Sequence, residues 1–288
     1  MSKEKYVFLY NSLSSSGKDV IKAENLPLKS EFKERIIDIQ DYTKIENMSE
    51  FILSLDNDTF IILSGGDGTL NSFINKIDKS VLERKIYFLG HGTGNDFLKD
   101  INHTKMDEPV LLNDYIFSLP TVKVNGKELK FINGVGLGLD GYVCCDIDTC
   151  RKNKPKKRLS YVKSALKGIL YAFKKQSAEI EIDGEKYSFN NVYLCSSMIG
   201  KYFGGGMKMS PLQDRLNDKK TLTFSLAHDL NKFTILTLFA KIFKGNHTKH
   251  KKVFIRFANH IKVKFSKPSF FQIDGEPIFS VLEYEIKF

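Results

Sequence analysis

A chain of 288 residues, 42% hydrophobic and 27% charged, carries enough apolar mass for one large domain or two ordinary ones and excludes an intrinsically disordered polymer. Its longest apolar runs, such as "FTILTLFA" (233–240), fall short of the roughly 20 residues that cross a bilayer, and the N-terminal apolar core is too short for a signal peptide, so a cytoplasmic protein is expected. The net charge of +10 is uneven: residues 1–120 hold 14 Lys and Arg against 19 Asp and Glu, and residues 121–288 hold 30 against 15, which points to an anionic partner for the second half alone.

The first half alternates apolar runs with helical segments. "YVFLY" (6–10), "RIIDI" (35–39), "TFIIL" (59–63) and "KIYFLG" (85–90) read as buried strands, each followed by a polar turn and a segment of helical character. The alternation predicts an open parallel α/β sheet with ligands outside the carboxyl ends of its strands. Three polar turns lie at such ends: "NSLSSSGK", "GGDGT" and "HGTGND". Glycine allows a ligand close to the backbone, and N–H groups at a strand-to-helix turn form an anion nest. Gly65, Gly66 and Gly68 suit a phosphate over the turn, and Thr69 adds a hydroxyl. Asp67 is out of place beside phosphates unless it organises a metal ion or its water. The same layout recurs at 90–97, where Asn95 or Asp96 starts a helix.

From about residue 121 the pattern turns to short β-rich runs. "TVKVNGKELKF" and "AEIEIDGEKYSF" are hairpins around Asn125-Gly126 and Asp183-Gly184. "TLTFSL", "VFIRF", "IKVKF" and "SFFQID" follow, which predicts an antiparallel sandwich or barrel interrupted by helices at 160–174 and 230–243. Cys144, Cys145, Cys150 and Cys195 match neither a zinc site nor a CxxC pair and read as reduced thiols. The basic run "RKNKPKKR" (151–158) precedes a helical stripe of Leu159, Val162, Leu166, Ile169, Leu170 and Phe173. Two readings stay open: a segment docking on an anionic membrane, or a helix packed on the sheet behind a solvated loop. "KGNHTKHKK" (244–252) adds charge, and no basic aromatic motif of a nucleic-acid reader is present, so no nucleic-acid partner is expected.

With both glycine turns in hand, the sequence resembles the diacylglycerol kinase catalytic family, lipid kinases that include the sphingosine kinases and share a fold with NAD kinases. "SGGDGTLNSFIN", "GTGNDF", "FINGVGLGLDGYV" (131–143), "GGGMKMSP" (204–211), "LND" (216–218) and "QIDGE" (272–276) resemble its blocks in order. The resemblance implies an α/β nucleotide domain at 1–120, a β-sandwich lipid-substrate domain with added helices at 121–288, and an active cleft between them. It implies transfer of the ATP γ-phosphoryl group to a lipid hydroxyl, with magnesium, by an enzyme peripheral to the inner face of the membrane, and it admits a homodimer. By residue, it implies that Asn11, Thr43, Gly65, Gly66, Asp67, Gly68, Thr69, Asn71 and Thr93 contact the nucleotide. Asp67 would join a metal–water network, Asp218 would hold magnesium with carbonyls near Arg215 and Lys220, Glu276 would be the general base, and Asp274 would shape its turn. Two departures stand out: the first loop lacks the family's Asn-Pro, and Lys219 stands where the family has glycine. An NAD-kinase-type small-molecule kinase and a non-catalytic nucleotide or lipid sensor are the alternatives.

Overall fold

The computed structural model describes residues 4–13, 26–92, 94–153 and 159–288. Thr93, most of the first polar loop and residues 154–158 of the basic run lie outside the described residues. The chain divides into two compact units, Met1–Leu119 and Pro120–Phe288.

Unit 1 runs β1 (Lys5–Tyr10), α1 (Ser30–Lys33), β2 (Ile36–Asp41), α2 (Met48–Ser54), β3 (Thr59–Gly65), α3 (Asp67–Ile74), β4 (Ile86–Gly90), α4 (Asp96–Asp100), β5 (Val110–Leu111) and α5 (Asn113–Ile116). The sheet order is β2-β1-β3-β4-β5. The first four strands are parallel, and β1, β3 and β4 carry the near-continuous apolar runs of strands buried on both faces. The short β5 pairs antiparallel to β4, so the sheet is mixed at one edge. Tyr6 to Leu9, Ile61 to Leu63, Phe88 and Leu89 are buried and make the core.

Unit 2 begins with the hairpin β6 (Thr121–Val124) and β7 (Lys127–Lys130), then β8 (Gly134–Gly138) and α6 (Leu139–Asn153). Next come α7 (Tyr161–Lys167), a π-helical turn (Gly168–Ala172), β9 (Gln176–Ile182), β10 (Glu185–Met198) and β11 (Leu222–His228). The unit closes with α8 (Lys232–Ile242), β12 (Val253–Ala258), β13 (His260–Ile273) and β14 (Glu276–Lys287). All nine strands belong to one antiparallel network, ordered β12-β11-β10-β8-β13-β14-β6-β7, with β9 also pairing β10 and β13. The long strands β10 and β13 each pair with β9 along one half and with β8 along the other. Hairpin tips at Asn125-Gly126, Asp183-Gly184 and Asp274-Gly275 all have positive φ at both residues, the conformation that matches the strand twist.

Three expectations change. "IKVKF" and "SFFQID" are one strand, because "SKP" between them is absorbed by register shifts against β14 rather than by a turn, and a shift is where a strand tolerates Pro268. The longest helix, α6, was not expected. It leaves β8 with no punctuating turn, and Gly141 inside it allows close packing on the backbone of Phe270. The stripe expected on the helix at 160–174 is split: Ile169 is buried, while Val162 and Leu166 are exposed.

Candidate active site

In unit 1, the two glycine turns form at the carboxyl ends of the parallel neighbours β3 and β4, and β1 ends beside β3. Chain order reverses at the β1/β3 pair, where an open sheet leaves its binding crevice. Gly66 enters α3 in extended conformation. A Cβ on Gly92 would lie 2.7 Å from the Gly66 Cα, and one on Gly65 would collide with Thr69. Backbone therefore packs on backbone between the turns, and the first-turn N–H groups of α3 are left for an anion.

Asp67 occupies both turns at once. Its Oδ2 accepts the Asp96 N–H and its Oδ1 the Phe97 N–H, each at 3.0 Å. It caps α4 from another segment, while Asn95, at the N-cap position with φ 47°, makes no cap bond and instead accepts from Gly92 N at 2.9 Å. The His91 N–H donates to the Gly65 carbonyl at 2.8 Å, a further tie between the turns. This clamp gives the acid among the glycines a structural role of its own, as acceptor for two backbone N–H groups of the second turn.

The other nucleotide candidates of unit 1 fall in the same neighbourhood or beside it. The Asn11 amide, just past β1, donates to Thr69 Oγ1 at 2.9 Å, so the Thr69 proton stays free to donate. Gly68 and the half-buried Asn71 lie on α3. Thr43 follows β2 and donates through both N and Oγ1 to Asp41 Oδ1, at 3.1 and 2.7 Å. Asp41 also accepts from Ser12 N at 3.4 Å. Burial works to raise the Asp41 carboxyl, but these donors outweigh it and its pKa is lowered. Its Oδ2 is buried without a partner, as is Nε2 of His91, whose pKa burial lowers. Neither residue was singled out from the sequence. A polar residue at the carboxyl end of a strand was the available signal for both.

In unit 2, Glu276 opens β14, exposed, just beyond the Asp274-Gly275 turn. Asp274 does more than shape that turn. Its carboxylate accepts the N–H groups of Ile132, Asn133 and Gly134 at 2.7 to 2.8 Å. The buried Arg215 guanidinium holds the same strand entry, donating to Ile132 O at 3.0 Å and Asn133 Oδ1 at 3.2 Å. Asp140, at the start of α6, is buried with Oδ1 unpartnered among the described residues, and Gln272 approaches Oδ2 at 3.5 Å. Burial pushes its carboxyl up to about 6 against the stabilising bonds from Gly141 and Gln272. Burial also pushes up the Cys144 thiol, with Asp140, Cys145 and Glu276 adding charge nearby, so both acids lie within electrostatic reach of one point on α6. Asp140 was legible as the one acid in the fifteen residues "FINGVGLGLDGYVCC" but was read only as motif.

The proposed magnesium loop is differently engaged. Asp218 is an exposed carboxylate flanked by Lys219 and Lys220. The Asn259 amide donates to the carbonyls of Lys219 and Lys220, at 2.8 and 3.1 Å, and Asn217 fastens Thr221 and Asp214. Among the described residues, no group of three or more His, Cys, Asp or Glu is placed to hold a metal. The loop therefore offers a magnesium ion one exposed carboxylate, with the Lys219 and Lys220 carbonyls each already accepting from Asn259. A concavity of about 670 Å³ in unit 2 is lined by residues of β6, β9, β10, β13 and β14. Its charges pair with one another, as Lys262 with Glu181 at 3.7 Å and Lys264 with Glu283 at 3.9 Å, and it reads as a solvated face.

The diacylglycerol kinase catalytic domain model matches residues 5–117, and the YegS C-terminal NAD kinase beta sandwich-like domain model matches residues 133–282. A Bacillus subtilis protein named "Putative lipid kinase YtlR" is 25% identical over 237 residues, spanning 75% of this chain and 73% of its own length. The Bacillus subtilis "Diacylglycerol kinase" is 25% identical over 222 residues, spanning 75% and 70%. A crystal structure titled as a "putative diacylglycerol kinase" from Bacillus anthracis superposes with a TM-score of 0.69 at 20% identity, covering 100% of this chain and 93% of that one. At that identity the likeness shows a shared fold.

Proposed function

Because the chain belongs to the diacylglycerol kinase family, we propose that it is a lipid kinase transferring the γ-phosphoryl group of ATP to a hydroxyl of diacylglycerol or a related lipid. The observation that carries this reading is the Asp67 clamp: one carboxylate fixes two glycine turns against each other at the strand ends where an open sheet binds its ligand. Phosphoryl transfer asks a protein for positioning and charge stabilisation more than for covalent chemistry. The N–H groups at the start of α3 and the Thr69 hydroxyl donate to phosphate oxygens. Glu276 accepts the proton of the lipid hydroxyl as its oxygen attacks the γ-phosphorus, the bond to the β-phosphate oxygen breaks, and ADP leaves. The unpartnered oxygen of Asp140 supports a role in receiving a donor from the acceptor. Magnesium is assigned to the phosphates of the nucleotide rather than to the Asp218 loop.

We place the enzyme at the inner face of an anionic membrane, on the strength of the basic second half. No helix among the described residues is long and apolar enough to cross a bilayer. The test incubates the protein with labelled ATP, magnesium and diacylglycerol, sphingoid, phosphatidylglycerol and prenol acceptors, with NAD in parallel. A lipid product that disappears in Glu276→Gln is expected. Product from NAD alone overturns the lipid reading, and nucleotide binding without transfer overturns catalysis.

A further inference from the structure

The helix α7 is packed inside out. Its buried residues are Ser164 and Ala165, followed in the π-turn by Gly168 and Ile169. Its larger apolar residues, Val162 and Leu166, are exposed one turn apart beside the exposed Lys163 and Lys167. A helix free to rotate would bury the larger pair. Beyond it, Tyr171 is 83% exposed, and Lys174 and Lys175 follow in solvent.

The neighbouring helix shows the same mixture. The α8 residues Ile235, Leu238 and Ile242 face inward and pack in one cluster with Ala165 and Ile169, or beside it. Outward stand Phe233, 81% exposed, with Thr237, Lys241 and Lys244. The two elements are tied where the aromatics emerge: Lys232 Nζ donates to the Leu170 carbonyl at 2.5 Å, one residue before each exposed ring. The sequence also strips both segments of acids. Residues 149–178 contain ten Lys and Arg and residues 230–252 contain six, with no Asp or Glu in either. Of the nearby carboxylates, Asp146 pairs with Lys167, Asp148 with Lys152, and Asp229 with His228. Among the described residues, none pairs with Lys163, Lys174, Lys241 or Lys244.

Exposed aromatic and aliphatic groups ringed by unpaired lysines match a lipid surface: the rings enter the headgroup layer, the lysine stems lie along it, and the ammonium groups meet anionic lipid. A nucleic acid would use the lysines but leave Val162 and Leu166 without purpose. We propose that the outer face of α7, the π-turn and α8 is the surface this protein lays on an anionic bilayer, with Tyr171 and Phe233 as its inserting side chains. This rests on the membrane part of the proposed function and not on the kinase chemistry.

The experiment is sedimentation of the full chain with vesicles of equal parts phosphatidylglycerol and phosphatidylcholine, and of phosphatidylcholine alone. Wild type is expected to bind the anionic vesicles, and Tyr171→Ser with Phe233→Ser to bind at least about ten-fold more weakly, since each buried apolar side chain is worth a factor of that order. Phe117→Ser, a 70% exposed aromatic of unit 1, serves as the control and is expected to bind as wild type. Circular dichroism confirms that each variant is folded, and a folded single variant of either ring stands in if the double variant is not. Equal binding by the double variant, equal loss in the Phe117 control, or a wild type that ignores vesicles and binds heparin or single-stranded DNA overturns the proposal. Phosphoryl transfer to a short-chain, water-soluble diacylglycerol is measured alongside. Its absence would sink the kinase reading and leave the vesicle result standing, and its persistence with unchanged vesicle binding would sink only this surface.

Discussion

Asp67 changes meaning between sequence and structure. As a letter among glycines, it asked for a metal to neutralise it. In the fold it satisfies two orphan N–H groups of α4 and fixes the second glycine turn against the first. Asp67→Asn keeps the shape but presents an amide donor to one of those N–H groups. We expect it to lose about 1.5–3 kcal/mol of stability, the range of a hydrogen bond to a charged group, and to weaken ATP binding. Thermal unfolding and nucleotide titration check both, and an unshifted melting temperature with weakened ATP binding would return Asp67 to a purely chemical role. Gly92→Ala tests the other half of the clamp. The new Cβ meets the Gly66 backbone, which cannot swing away as a side chain would, so a cost of about 1–3 kcal/mol is expected together with loss of nucleotide affinity. The glycines were legible in the sequence because chain flexibility at a strand end has few other uses. The bond from Asp67 to α4 was not, since nothing in "GGDGT" says which helix lies opposite.

At the scale of elements, periodicity succeeded where strands and turns are punctuated and failed where they are not. The hairpins at Asn125-Gly126 and Asp183-Gly184 announce themselves, whereas Asp274-Gly275 was read as a turn without the strand β14 that follows it. The junction of β8 and α6 has no such mark: Gly138 there takes φ 113° in a single residue, and Gly138 and Gly141 both admit neighbouring backbone. The Asp218 loop was read through the resemblance, and the partner that holds it, Asn259, is forty residues away in sequence between β12 and β13. That latch makes a prediction. Asn259→Ala leaves the Lys219 and Lys220 carbonyls without their amide and should cost about 1–2 kcal/mol, a net loss of one or two hydrogen bonds. Magnesium chloride without nucleotide should leave the melting temperature of both wild type and variant unchanged. A magnesium-dependent rise in wild type would show that the loop binds the ion after all.

For the whole molecule, two buried groups pull stability in opposite directions with pH. Asp140 titrates at about 6 in the fold against an ordinary 3.8, so above pH 6 the folded state carries a buried charge that the unfolded chain holds at no cost. Between those values the folded state keeps a proton that the unfolded chain has released, and stability rises as pH falls. His247, buried beneath α8 with Nε2 against the Met209 carbonyl and Nδ1 unpartnered, titrates at about 4 against an ordinary 6.5 because burial penalises its cation. Between those values the unfolded chain takes up a proton that the folded state refuses, and stability is lost as pH falls. Each shift amounts to about 3 kcal/mol, so over roughly pH 4 to 6 the two nearly offset one another. Single variants separate them. Asp140→Asn should unfold at a higher temperature than wild type at pH 7.5, and that advantage should shrink to nothing by about pH 4, where the wild-type acid is neutral in both states. His247→Gln should gain on wild type over the same descent, because it removes the group whose protonation favours the unfolded chain. Denaturation profiles of the three proteins across that range decide the matter: parallel curves for Asp140→Asn and wild type would mean that the carboxyl is solvated in the fold, and with it would go the argument that Asp140 waits for a donor from the acceptor.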